Sequence, residues 1–118
     1  MDDHTLTITP QHTAPGVTVL LVDGELDHHT APLLADFLGE EVFVPDARIV
    51  LDLTALTYCD STGVTVLVGA YQKAHAARCV LALAGVNDDL TRVFGIMGLD
   101  QVFTLVPTVA DALGPARP

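Results

Sequence analysis

Short apolar segments of two kinds alternate along this chain, and their alternation is the strongest constraint on its fold. Segments rich in β-branched or alternating apolar residues predict strands at residues 5–9, 17–22, 48–54, 79–84 and 101–105. Segments with apolar residues spaced by three and four predict helices that begin near Thr30, Ser61, Asn87 and Thr108. Strands that alternate with helices pack as a largely parallel sheet. We therefore predict the order β-β-α-β-α-β-α-β-α and a single-domain α/β fold, with a mixed, mostly parallel β-sheet flanked by about four helices.

Proline, glycine and capping residues mark the boundaries of the first elements. Pro10 is predicted to end the first strand, and the Asp-Gly pair at 23–24 to end the second. The first helix is predicted to run from a Thr30 cap to about Val42. Residues 55–60 are predicted to form a loop between the third strand and the second helix.

The third predicted helix shows the clearest helical periodicity. Asn87 stands where it can cap the first turn, and Gly98 follows the last turn, where a left-handed residue is common. The apolar stripe is typical of a helix that faces a core rather than of a segment that binds a cofactor. We expect its members in the core: Leu90, Val93, Phe94 and Met97.

Composition indicates one soluble domain. Half of the 118 residues are hydrophobic, which suffices for a core that needs no disulfide or metal. No apolar run approaches the roughly 18 residues of a membrane helix, and the acidic start of the chain differs from the basic start of a secretory signal. Cys59 and Cys79 match no zinc or CxxC spacing. We therefore expect a cytoplasmic protein with two reduced thiols, no cofactor and no membrane partner.

The charge of the chain is strongly one-sided. Its net charge is −10, with 15 acidic and 5 basic residues, and Arg48 is the only basic residue among the first sixty. Phosphate binding requires clusters of Lys and Arg, so a direct nucleic-acid partner is disfavoured. The acidic half suits a basic protein partner, although acidic residues at these positions can also serve solubility alone.

The segment Asp60-Ser61-Thr62-Gly63 is the first candidate functional motif. It lies between an apolar strand and an amphipathic helix, where partner and ligand sites form in open α/β sheets. The alternative is that Asp60 or Ser61 only caps the helix. Nucleophilic catalysis is disfavoured because Cys59 stands where a nucleophile elbow requires Gly, and because His75 lies about four turns away along the same helix.

The segment from Gly24 to Ala31, Gly-Glu-Leu-Asp-His-His-Thr-Ala, is the second candidate motif. Two acids and two histidines invite a metal site, but no further ligand stands at a recognised spacing. The preferred interpretation is a polar strand-to-helix turn in which Asp27 and Thr30 accept hydrogen bonds from backbone N–H groups. No dinucleotide or Walker motif is present.

The two motifs, in this order and within this succession of elements, resemble the STAS family of bacterial anti-sigma factor antagonists. Met97-Gly98-Leu99 followed by Val102-Phe103 is also similar to the last helix-to-strand junction of that family. The motif from Gly24 to Ala31 most resembles that of the sporulation-type antagonists. The resemblance implies a STAS-like fold with a domain at residues 5–113 between tails at residues 1–4 and 114–118. One departure is Val64-Thr65, where the family often has Leu-Gly.

The resemblance also implies a mechanism. An unphosphorylated antagonist binds an anti-sigma factor that is also a serine kinase of the GHKL type, and thereby frees the sigma factor. The kinase phosphorylates the serine after Asp, here Ser61, with Thr62 as a less favoured acceptor, and a PP2C-type phosphatase reverses the modification. The expected partner-binding surface consists of Glu25, Asp27, His28, Asp60, Ser61, Thr62 and Gly63.

Two other hypotheses remain open at this point. A STAS domain can also be a subunit of a stress-sensing or scaffold complex that acts by assembly or ligand sensing. An enzyme would use Ser61 or Cys59 as its nucleophile, which the sequence disfavours for the reasons above. We therefore expect a binding switch rather than an enzyme.

Overall fold

The computed structural model describes residues 5–113. Its strands are β1 (Leu6–Ala14), β2 (Val17–Leu26), β3 (Arg48–Asp52), β4 (Leu56–Cys59), β5 (Val80–Ala84) and β6 (Thr104–Val106). Its α-helices are α1 (Ala31–Phe37), α2 (Ser61–Ala77), α3 (Asp88–Ile96) and α4 (Val109–Leu113). Two 3₁₀ turns lie at Glu40–Val42 and Leu99–Gln101. The predicted tails, residues 1–4 and 114–118, lie outside the described residues.

The strands form one mixed sheet in the order β1-β2-β3-β5-β6. Only the β1–β2 hairpin is antiparallel, and the other pairs are parallel. β3 pairs with the first half of β2, while β4 pairs with its last residues, from Gly24 to Leu26. The predicted mixed, mostly parallel sheet with about four helices is therefore confirmed.

The two faces of the sheet bury clusters of very different size. Because successive side chains of a strand point to opposite faces, neighbours such as Val19 and Leu20 belong to different clusters. The larger cluster joins the sheet to α1, α2 and α3, with Leu34, Leu67 and Phe94 fully buried. The smaller cluster packs against α4. The helix α4 is anchored by Arg48, whose Nη1 donates to the carbonyl oxygen of Leu113 over 2.7 Å.

The largest error of the sequence prediction is β4, which was predicted as a loop. Residues 56–59 become a strand because β2 runs on to Leu26 and offers them an edge. The Asp-Gly pair at 23–24 does not end β2: Gly24 adopts φ +121, and a Cβ there would meet the carbonyl oxygen of Thr5. Only glycine tolerates this kink, which lets the strand continue with a shift in register.

The ends of β1 and α1 also differ from the prediction. β1 passes through Pro10 to Ala14, because an edge strand tolerates a residue without an N–H. α1 ends at Phe37 rather than near Val42. Leu38 has left helical geometry, and its side chain is buried. Gly39 is extended and separates the helix from the 3₁₀ turn at Glu40–Val42.

The third helix is predicted well in extent but only partly in burial. Asn87 caps it, its Oδ1 accepting from Leu90 N over 2.8 Å, and Gly98 adopts φ +76 just beyond its end. The predicted final strand is shifted, since residues 99–101 form a 3₁₀ turn and β6 begins at Thr104. Of the predicted core stripe, two members are buried, Leu90 and Phe94, and two are exposed, Val93 and Met97.

Candidate functional site

Pairing of β4 with β2 brings the two sequence motifs to one edge of the sheet. The strands are parallel, so the turns that follow their carboxyl ends meet. The contact is direct, because Asp60 N donates to the carbonyl oxygen of Leu26 over 3.0 Å. The β2–α1 turn, residues 27–30, therefore lies against the amino end of α2.

The carboxylate of Asp60 joins these two segments. Its Oδ1 accepts from Gly63 N over 2.9 Å, which caps α2. Its Oδ2 accepts from His28 N over 3.1 Å. The Nδ1 of His28 lies 4.0 Å from the same oxygen, on a side chain that is largely exposed. One carboxylate thus satisfies donors from two separate parts of the chain, and fixes where the turn stands relative to the helix.

The β2–α1 turn is also held from within by Asp27. Although it is an acid, Asp27 is only 4% exposed. Its Oδ1 accepts from His29 N over 2.9 Å and from Thr30 N over 3.0 Å. The Thr30 hydroxyl accepts from Asp27 N over 3.0 Å and donates to the carbonyl oxygen of Glu25 over 2.7 Å.

These bonds confirm the interpretation of the second motif as a hydrogen-bonded turn. They also correct one detail: Thr30 occupies the N-cap position of α1, but its hydroxyl makes no capping bond to that helix. The hydroxyl is already engaged by Asp27 N and the carbonyl of Glu25. Within the described residues, no group of three or more His, Cys, Asp or Glu side chains is placed to hold a metal ion.

Ser61 is the first residue of α2 and is exposed. The sequence left open whether Asp60 or Ser61 caps the helix, and the structure assigns the cap to Asp60. Thr62 is exposed beside it, and Thr65, one turn on, donates through its hydroxyl to the carbonyl oxygen of Ser61 over 2.9 Å. The Ser61 hydroxyl therefore stands at the helix terminus without carrying the capping bond.

Gly63 is buried where α2 crosses the end of β2. A Cβ at this position would lie 2.8 Å from Cys59 Sγ and 2.8 Å from both Cγ and the carbonyl oxygen of Leu26. The glycine thus allows α2 to approach the strand closely enough for the bonds of Asp60 to form. Burial, assisted by the neighbouring Asp60 carboxylate, raises the pKa of the Cys59 thiol to about 12. Cys59 therefore stays a protonated thiol, partly buried against the larger core cluster.

The seven residues of the predicted surface consequently fall into three groups by exposure. His28, Ser61 and Thr62 are exposed at the edge, while Asp27 and Gly63 are buried and shape it. The other two members, Glu25 and Asp60, are half-buried. Their role in binding a partner stays a prediction.

Sequence reasoning missed a second feature of this edge. Tyr58, in the strand that was predicted as a loop, is half exposed, and a cleft of about 170 Å³ separates β4 from α3. Val93 of α3 lines this cleft and is partly exposed, and Ile96, three residues further along the chain, is 80% exposed. No local signal in the sequence marks this exposure, because the helical period of α3 shows which residues share a face but not how much of that face is covered.

No helix in residues 5–113 combines the length and the apolar character needed to cross a membrane.

Comparison with known proteins finds one family model and several similar proteins. The STAS domain model matches residues 10–112. An anti-sigma-B factor antagonist of Listeria monocytogenes is 40% identical over 88 residues, which are 73% of this chain and 75% of that protein. The anti-sigma-F factor antagonist RsfB of Mycobacterium tuberculosis is 31% identical over 116 residues, 98% of this chain and 92% of that protein. A crystal structure of an anti-sigma factor antagonist from Mycobacterium paratuberculosis superposes with a TM-score of 0.81 at 31% identity, covering 95% of this chain and 94% of that one.

Proposed function

The chain belongs to the STAS domain family, and on that premise we propose that it is an anti-sigma factor antagonist. The unphosphorylated chain binds an anti-sigma factor that is also a serine kinase of the GHKL type, and so releases the sigma factor. Phosphorylation of Ser61 ends this binding, and a PP2C-type phosphatase restores it. The names of the similar proteins from Listeria and Mycobacterium support the antagonist role.

The observation that carries the proposal is that Asp60, and not Ser61, makes the structural hydrogen bonds at the amino end of α2. Asp60 caps α2 and holds the β2–α1 turn, while Ser61 is exposed at the first helical position. A phosphate on Ser61 therefore removes no hydrogen bond that the fold uses. A site built in this way can change its charge without losing its structure.

The proposed partner surface is the edge formed by the two motifs, which are predominantly acidic. Glu25 and Asp60 lie half-buried there, and His28 is exposed beside them. The surrounding chain carries a net charge of −10. A basic patch on the anti-sigma factor would complement this charge and raise the association rate. We include the neighbouring Tyr58, because an exposed aromatic residue beside a polar rim is typical of an interface.

Charge explains how a phosphate would release the partner. Phosphoserine carries about −1.5 to −2 charges at neutral pH. In the complex, water no longer screens it from Asp60. For charges of about −2 and −1 roughly 6 Å apart, at an effective dielectric of about 20–40, the repulsion is about 3–6 kcal/mol. This value is an upper bound because the turn can relax, but a third of it already weakens binding about tenfold.

The test is phosphorylation by the cognate anti-sigma factor with ATP, followed by fragmentation to locate the phosphate. We expect the phosphate on Ser61. Ser61→Ala should abolish the modification, and Thr62→Ala is the matched control that should leave it intact. Phosphate found mainly outside residues 61–62 would refute the proposed switch. Binding to STAS sensor proteins but to no kinase would instead favour a subunit of a stress-sensing complex.

A further inference from the structure

A groove of about 630 Å³ lies at the other end of the sheet from Ser61. It is bounded by the outer half of the β1–β2 hairpin on one side, and by the end of α1 and the segment before β3 on the other. Its volume falls in the range of pockets that hold small ligands or anchoring side chains. The apolar part of its lining includes Pro10, Leu20, Phe37, Val42, Val44 and Ala47.

The groove exists because the hairpin is longer than the helix that covers it. β2 has ten residues and spans about 33 Å, whereas α1 has seven residues and spans about 10 Å. Extended Gly39 then separates α1 from the 3₁₀ turn, so the outer hairpin stays uncovered on this face. Val44, at its rim, is about half exposed as a result.

The charged groups around the groove have one sign. Asp36 and Glu41 line the groove. None of the described residues that line it is basic. Two basic side chains of adjoining elements are held elsewhere. Lys73 Nζ donates to the carbonyl oxygen of Leu38 over 3.3 Å, and Arg48 Nη1 binds the end of α4 on the opposite face. An occupant must therefore present apolar surface together with positive charge.

We propose that this groove docks a short segment of a partner protein in which aliphatic side chains are flanked by Lys or Arg. The aliphatic groups cover the apolar floor, and the basic groups pair with Asp36 and Glu41. Thr18, in the groove, lies eight residues before Leu26 on β2, which corresponds to about 26 Å. The docking site is thus separate from the Ser61 edge, and can be occupied in either phosphorylation state.

The test uses the full chain labelled with ¹⁵N and two capped hexapeptides. One is acetyl-Lys-Leu-Leu-Lys-Leu-Lys-amide, and the other carries Glu in place of each Lys. We expect the basic peptide to shift amide signals of Thr18, Phe37 and Val44 and to bind about fivefold more tightly than the acidic one, since exposed charge pairs contribute modestly. The preference should weaken at high salt.

A matched pair of double variants tests the role of the two acids. Asp36→Asn/Glu41→Gln should abolish the preference for the basic peptide. Asp88→Asn/Asp89→Asn, which removes the same charge from α3, should retain it. Ser61→Asp should bind both peptides as the unmodified chain does, which separates this site from the proposed switch. Absence of shifts in the groove, shifts confined to the Ser61 edge, or an equal loss in both double variants would overturn the proposal.

Discussion

Replacing Asp60 should separate its two structural roles. Asp60→Asn and Asp60→Ser keep a side-chain oxygen for the cap to Gly63 N, since Asn, Ser and Asp cap helices about equally well. Neither can also accept from His28 N in the observed geometry: the second oxygen becomes a donor in Asn and is absent in Ser. Asp60→Ala removes both bonds.

The expected losses of unfolding free energy follow from these contacts. The bond to His28 N contributes about 0.5–1.5 kcal/mol, towards the low end because water can replace the acceptor at an exposed site. The negative charge at the amino end of α2 contributes about 0.3–1 kcal/mol. We therefore expect Asp60→Asn and Asp60→Ser each to lose about 1–2 kcal/mol. Asp60→Ala also lacks the cap, and should therefore lower the free energy of unfolding by about a further 0.5–2 kcal/mol.

Urea unfolding measures these losses, and amide hydrogen exchange locates them. Asp60→Asn should speed exchange at His28, whose N–H loses its acceptor. Exchange at His29 and Thr30 should stay unchanged, because their N–H groups donate to Asp27. Equal acceleration at all three amides would mean that Asp60 alone orders the turn. Unchanged exchange at His28 would mean that the bond between the two motifs contributes nothing, and either result would refute the reasoning.

Four further outcomes are expected. Ser61→Ala should keep affinity for the anti-sigma factor and Ser61→Asp should lower it, as measured by titration; equal affinities would count against charge as the switch. Phosphorylation of Ser61 should leave the melting temperature nearly unchanged, because attraction by the helix terminus offsets repulsion by Asp60; a large fall, matching the loss of affinity, would indicate local unfolding instead. Gly63→Ala should lower the free energy of unfolding by about 1–3 kcal/mol in urea titration, since its Cβ would collide with Cys59 and Leu26; an unchanged midpoint would show that α2 can shift freely. Iodoacetamide at pH 8, followed by mass mapping, should label Cys79 well before Cys59, whose pKa of about 12 leaves almost no thiolate.

The motif residues themselves could be found in the sequence because their chemistry is local. A cap requires an oxygen beside the first helical turn, and Asn87 supplies it as the sequence predicts. The turn formed by Asp27 and Thr30 is closed by bonds between residues at most five apart. The STAS resemblance, which rests on these short segments, is confirmed by the family match.

The misjudged elements depend on contacts between distant parts of the chain. Leu56–Cys59 carries too weak a pattern to be recognised alone, and becomes a strand only beside the end of β2. Val93 and Met97 fit the helical period of a core stripe. The core, however, covers only the part of that stripe that carries Leu90 and Phe94, so the other two side chains stay exposed. Periodicity shows which residues share a face, and the packing partner decides how much of that face is covered.

Apolar spacing and capping act over a few residues, so they were sufficient to predict the fold class, the four helices and the serine at the amino end of α2. The hydrogen bond by which Asp60 joins the two motifs links residues 32 apart in the chain, His28 and Asp60, and therefore depends on the tertiary fold. That bond requires β4 to pair with β2, and the pairing requires the kink at Gly24. Hydrogen bonds between distant segments depend on the register of the sheet, which no local pattern encodes when strands are this short.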